Sequence, residues 1–214
     1  MMEWLVPFLP GFTAAYAIQA VSVASPGPGV ALLLGIALSQ GRARAIAASF
    51  GIAAGAACLA LATTQGLGLL MERVAWLSTV IRLAGICYLL WLAVKAWRRA
   101  IEPPSIAIAH VDRPASGLSR AFAAGYLMQI TNPKAIVFWL AIATVGATNG
   151  APMPVLATFI AGAFALSLAG HCAYAVLLSS SPFRLAYDHA RRWIEAAIGT
   201  FLAYVAFRLA TERS

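Results

Sequence analysis

Residues 12–39 read FTAAYAIQAVSVASPGPGVALLLGIALS, and residues 121–148 read AFAAGYLMQITNPKAIVFWLAIATVGAT. Both stretches exceed the roughly 20 mainly apolar residues that a bilayer-spanning helix needs. Each carries a proline break near its middle, Ser25-Pro26-Gly27-Pro28-Gly29 in the first and Asn132-Pro133-Lys134 in the second. Proline removes a backbone donor and clashes with the preceding turn, at a cost of roughly 3 kcal/mol inside a helix. At the bilayer midplane the freed groups must face protein or a water-filled cavity, because lipid cannot satisfy them. Two interrupted helices in matching positions of two halves point to the binding site of a secondary transporter. Packing kinks are the plainer alternative. Ser22, Ser25, Gln129, Thr131 and Asn132, the polar residues beside the breaks, argue against it.

The rest of the chain agrees with a membrane setting. Of its 214 residues 62% are hydrophobic and 10% charged, whereas soluble domains carry about 25% charged residues. Too few charges remain to coat a core of this size. The start, MMEWLVPFLPGF, lacks the positive region of a signal peptide, so the first apolar segment is expected to be retained. Six spans are expected, at 12–39, 45–70, 76–97, 121–148, 154–179 and 193–210, making an all-α integral membrane protein. Residues 1–97 form a first three-helix repeat, 98–120 a polar linker holding Glu102-Pro103-Pro104 and Asp112-Arg113-Pro114, and 121–214 a second repeat.

The net charge of +8 comes from Lys and Arg scattered singly or in pairs between apolar runs. That pattern fits cytoplasmic loops and not a nucleic-acid surface. Ten basic residues, from Arg42 to Arg192, fall on the linker side, against Arg73, Arg82, Arg208 and Arg213 on the other. The linker is therefore expected in the cytoplasm and both termini outside.

The two halves share an order of features. Phe12, Tyr16 and Gln19 have the spacing of Phe122, Tyr126 and Gln129, and a proline break follows each trio. Ser49-Phe50 with Gly55 then matches Thr158-Phe159 with Gly162, and Gly85 with Lys95 matches Gly199 with Arg208. Three spans per half is an odd number, so the second half enters from the opposite side. The result is an inverted repeat.

Lys134 falls within the fourth span. A lysine at that depth costs roughly 2.5–3.5 kcal/mol on insertion scales and is by default a functional residue. Three roles are open to it. It can hold a substrate carboxylate as a point charge, give up its proton during a cycle, or donate to carbonyls uncovered by Pro133, such as that of Gln129.

The seven carboxylates all fall in loops or near helix ends, which disfavours divalent cations as cargo and an Asp or Glu proton relay. No metal or cofactor is expected. Cys58, Cys87 and Cys172 lie in apolar runs without metal spacing and read as small buried residues. His171 reads as a packing histidine that can titrate. Gly51 and Gly55 suit close helix packing within the chain or between copies. Trp4, Trp76, Trp97 and Trp193 read as interface anchors, Arg82 as a snorkelling residue, and Gln19, Gln65 and Gln129 as candidates to line a polar pathway.

Ser25-Pro26-Gly27-Pro28, Gly41-Arg42-Ala43-Arg44 with Gly51 and Gly55, and Asn132-Pro133-Lys134-Ala135 together resemble the LysE/RhtB family of bacterial amino-acid exporters. The likeness spans nearly the whole chain. It implies export of amino acids or close derivatives across the bacterial inner membrane, driven by the proton gradient as an antiport, and a homodimer. One departure stands out: the family often carries Asp, Asn or Gln just after its PG-P element, where Gly29 stands here.

The reading is a secondary transporter with a midplane site between the breaks, and not an enzyme. Gln19, Ser22, Ser25, Pro26, Gly27, Pro28, Gly29, Gln129, Asn132, Pro133 and Lys134 are the candidate substrate-binding residues, with a small-molecule amino acid as partner. A transporter or channel for another small solute is the alternative, and a thiol-redox membrane enzyme a more distant one.

Overall fold

The computed structural model describes residues 3–25, 27–64, 75–102 and 117–211, and every element among them is helical. Pro26, Gln65, Glu72, Arg73, the linker core with its Pro103-Pro104 and Asp112-Arg113-Pro114, Glu212 and Arg213 lie outside the described residues, as do the side chains of Trp76, Arg82, Arg184 and Asp188. A 3-10 turn, Glu3–Phe8, leads into α1, Leu9–Ala24, followed by α2, Pro28–Gln40, and α3, Arg42–Ala62. Next come α4, Ala75–Ile101, α5, Leu118–Thr131, α6, Pro133–Thr144, α7, Met153–Leu177, and α8, Ser181–Thr211. Among the described residues, Trp4–Ala24, Arg42–Ala62 and Met153–Leu177 are long and apolar enough to cross a membrane.

Both breaks expected from the sequence are present. α1 ends where the chain turns extended at Ser25, and α2 restarts with Pro28 in its first turn. Asn132 alone separates α5 from α6, which restarts at Pro133. Proline suits that first position, because the N–H it lacks would have no helical partner there.

The most extensive packing pairs α3 with α5, α3 with α7, and α4 with α8. Small residues allow the first of these. A Cβ added to Gly51 would run into the carbonyl oxygen of Phe122, and one on Gly125 into that of Ala48. Gly51 and Gly55 therefore serve packing within the chain, against α5. α1 packs on α7, where Phe159 meets the rings of Phe12 at 5.1 Å and Tyr16 at 5.4 Å.

α4 and α8 run further than expected. α4 continues past Trp97 to Ile101 and carries Arg98 and Arg99 in its last turn, where positive charge complements the helix dipole. α8 starts at Ser181 and not near Trp193. Its charged first half looks like loop in the sequence, yet Arg191 and Glu195 are buried by packing. Glu195, expected near a helix end, is fully buried inside α8 and accepts two bonds from Arg99, at 2.9 and 3.0 Å.

Removing one partner of such a pair strands the other charge. Arg99→Met is expected to destabilise the protein by about 3 kcal/mol, with most of that recovered in Arg99→Met/Glu195→Leu. Thermal unfolding in detergent reads both. The expectation of three buried cysteines fails in part: Cys58 and Cys87 are exposed and Cys172 is half-buried.

Candidate functional site

The two breaks meet. In an unbroken helix the Ser22 carbonyl would accept from the N–H of residue 26, and the Ala24 carbonyl from that of residue 28. Both positions are proline, so neither donor exists. The second half of the chain supplies substitutes. Lys134 Nζ donates to the Ser22 carbonyl at 3.0 Å and to the Ser25 carbonyl at 2.6 Å. The Tyr174 hydroxyl donates to the Ala24 carbonyl at 2.8 Å. The lysine therefore satisfies carbonyls of the opposite break and not that of Gln129, which takes a weaker bond from Asn132 N at 3.4 Å.

Asn132 caps α6 by accepting from Lys134 N at 3.1 Å. The start of α2 has no side-chain cap. Gly29 and Val30 of α2, and Lys134 and Ala135 of α6, line one cavity of about 40 Å³. Two helix N-termini, each with partial positive charge, thus converge on a site that also holds an ammonium group. Two of that group's three N–H donors are engaged, which leaves one.

Gln19, Ser22, Ser25, Gly27, Pro28, Gly29, Gln129 and Asn132 also line this cavity. Pro133 does not. It lines a second cavity, of about 210 Å³, between α4 and the breaks, with Trp91, Lys95 and Arg99. Lys134, Asn132, Ser25, Gly27, Pro28 and Phe138 belong to both linings, so they form the partition. At roughly 10–15 Å³ per water, the inner cavity takes about three waters. That is too little for an amino acid.

Gln19 is 4% exposed. Its amide donates to the Ala163 carbonyl at 2.7 Å, while its oxygen, Oε1, has no partner among the described residues. Tyr16 donates to the Phe159 carbonyl at 3.0 Å. Both bonds tie α1 to α7.

Sequence reasoning undervalued His171 and missed Ser167. They line the cavity from α7, one turn apart on the same face. Their i, i+4 spacing was the available signal. Tyr174 was missed, although two prolines two residues apart announce two carbonyls in need of donors. Among the described residues, no group of three or more His, Cys, Asp or Glu is placed to hold a metal ion.

The sequence pattern of the LysE type translocator family matches residues 20–213. The threonine efflux protein of Salmonella typhimurium is 30% identical over 210 residues, covering 94% of this chain and 98% of that protein. The threonine efflux protein of Escherichia coli K12 is 27% identical over 208 residues, with the same coverage. The leucine efflux protein of Klebsiella pneumoniae is 28% identical over 168 residues, 77% of each chain. No solved structure matches the chain.

Proposed function

Because the chain belongs to the LysE type translocator family, a family of bacterial multi-pass membrane efflux proteins and not of enzymes, we propose that it exports small amino acids or close derivatives by alternating access. The observation that carries this reading is the convergence of Lys134 and two helix N-termini on one cavity between the breaks. The substrate carboxylate binds there, on the free N–H of Lys134. Gln19, Ser25, Gln129 and Asn132 add hydrogen bonds, and the glycines and prolines of the breaks shape the walls. The relatives' names, threonine and leucine efflux proteins, favour neutral amino acids. Among the described residues, no carboxylate lines either cavity, so neither offers a countercharge to a cationic side chain.

The architecture in this proposal is six spans in two inverted repeats, residues 1–97 and 121–214, with both termini outside the bacterial inner membrane. α1 with α2, and α5 with α6, are its broken spans. The repeated trios support it. Tyr16 and Gln19 rest on α7 beside Gly162 and Ala163, and Tyr126 and Gln129 rest on α3 beside Gly55. Each trio is thus packed on the second helix of the other half. Rocking one half against the other moves the partition at Lys134 and enlarges the inner cavity. A proton enters as substrate leaves, and the protein works as a homodimer.

Counterflow in proteoliposomes tests the substrate class. Radiolabelled threonine or leucine is expected to exchange saturably, and faster with an opposing pH gradient. Absence of exchange with any amino acid, from protein shown to be folded, sinks the substrate class and leaves the helical architecture standing. Non-saturating flux indifferent to the gradient marks a channel.

A further inference from the structure

The inner cavity is chemically mixed. Lys134 lines it as a donor, and two acceptors line it too: the Gln19 Oε1, without a partner among the described residues, and the imidazole of His171, which is 7% exposed. His171 Nδ1 lies 2.8 Å from the Ser167 carbonyl. A carbonyl can only accept, so Nδ1 carries the hydrogen, and in the neutral ring Nε2 is left with a bare lone pair.

That lone pair faces the break. A Cβ placed on Gly29 would stand 3.5 Å from His171 Nε2, and one on Gly27 would stand 3.3 Å from Lys134 Nζ. The two nitrogens therefore flank one short segment, from Gly27 to Gly29. A donor and acceptors on one cavity match the two poles of an α-amino acid once the cavity has enlarged to admit it.

We infer that His171 Nε2 is the place where the substrate ammonium group and the transported proton compete, which makes His171 the coupling residue of the exporter. The inference rests on the proposed amino-acid site. When His171 is neutral, Nε2 accepts an N–H from the ammonium while Lys134 holds the carboxylate. When a proton arrives from the outer side, it occupies that lone pair. The ring then carries charge, and it repels the ammonium. Substrate leaves outward. The proton later departs to cytoplasmic water as the next substrate binds. One proton enters per zwitterion exported, so one positive charge moves inward per turnover.

The surroundings leave few rivals for this role. Lys134 and His171 are the titratable groups in the cavity lining. α1 offers Gln19, α2 offers Gly29 and Val30, and α3 offers Ala56. On α7 itself, the Tyr174 hydroxyl is engaged with Ala24 and Cys172 sits half-buried outside the lining. While Lys134 is protonated, its ammonium opposes a second charge nearby. Substrate and proton are therefore alternatives at His171.

Two measurements test this. In weakly buffered detergent solution between about pH 4 and 8, a range that brackets histidine titration, threonine binding to the wild-type protein is expected to release protons, and its affinity to fall as pH is lowered. Binding without proton release at any of these pH values overturns the inference. In proteoliposomes, His171→Gln is expected to slow threonine exchange severalfold and to erase the response to an imposed pH gradient. Gradient-driven accumulation as strong as the wild type's, from folded His171→Gln protein, overturns it as well. The two readings fail differently: a wild type that exchanges no amino acid removes the substrate site itself, whereas one that exchanges but releases no proton removes only the coupling role.

Discussion

Lys134→Ala is expected to cut threonine exchange by about a hundredfold, equivalent to about 2.7 kcal/mol of lost stabilisation, while the protein stays folded. The two consequences separate because of how Lys134 is held. Its bonds to the Ser22 and Ser25 carbonyls are charge-assisted, worth about 1.5–3 kcal/mol each. Against them stands the roughly 2.5–3.5 kcal/mol cost of placing a lysine in the membrane. Alanine removes both and leaves the two carbonyls to cavity water, so a net loss of up to about 3 kcal/mol is expected, short of unfolding. The carboxylate contact has no such offset. Lys134→Arg keeps the charge, but its planar fork does not match two carbonyls on one short turn, and it is expected to fall between wild type and alanine. Unimpaired exchange by folded Lys134→Ala protein removes the carboxylate role.

Gly51→Leu is expected to prevent accumulation of folded protein, seen as loss of a monodisperse species in detergent. The obstacle is backbone. A side chain at Gly51 meets the Phe122 carbonyl, and one at Gly125 meets the Ala48 backbone. Neither neighbour can rotate aside as a flexible side chain would, so α3 and α5 must part along their length. Overpacking commonly costs about 1–3 kcal/mol where side chains can adjust, and here they cannot. Gly41, by contrast, has open space where a Cβ would stand but adopts a φ of +89°, so Gly41→Ala is expected to produce only modest, local strain.

The breaks, their approximate positions and the family were legible in the sequence because proline acts locally: a missing N–H and a fixed φ require no knowledge of the fold. Lys134 was legible for the same reason, as a charge within an apolar run. What it bonds to was not. The carbonyls of Ser22 and Ser25 lie more than a hundred residues away, and only folding brings them to Nζ. Glu195 was misread because charge density is a poor guide to helix ends when a partner is waiting. With Arg99 alongside, α8 carries a carboxylate into its interior. The role of His171 depends on which ring nitrogen meets the Ser167 carbonyl, a detail of rotamer that spacing does not encode.

The bonds from Tyr16 to Phe159 and from Gln19 to Ala163 join residues 143 and 144 positions apart. At about 5–20 residues per second, a ribosome takes roughly 7 to 30 s to make the intervening chain. Through that interval α1 has been synthesised while its polar partners do not yet exist. The nascent chain must shelter the Gln19 amide from lipid until α7 arrives, so a late step of synthesis is also the one that first makes its opening helix comfortable in the bilayer.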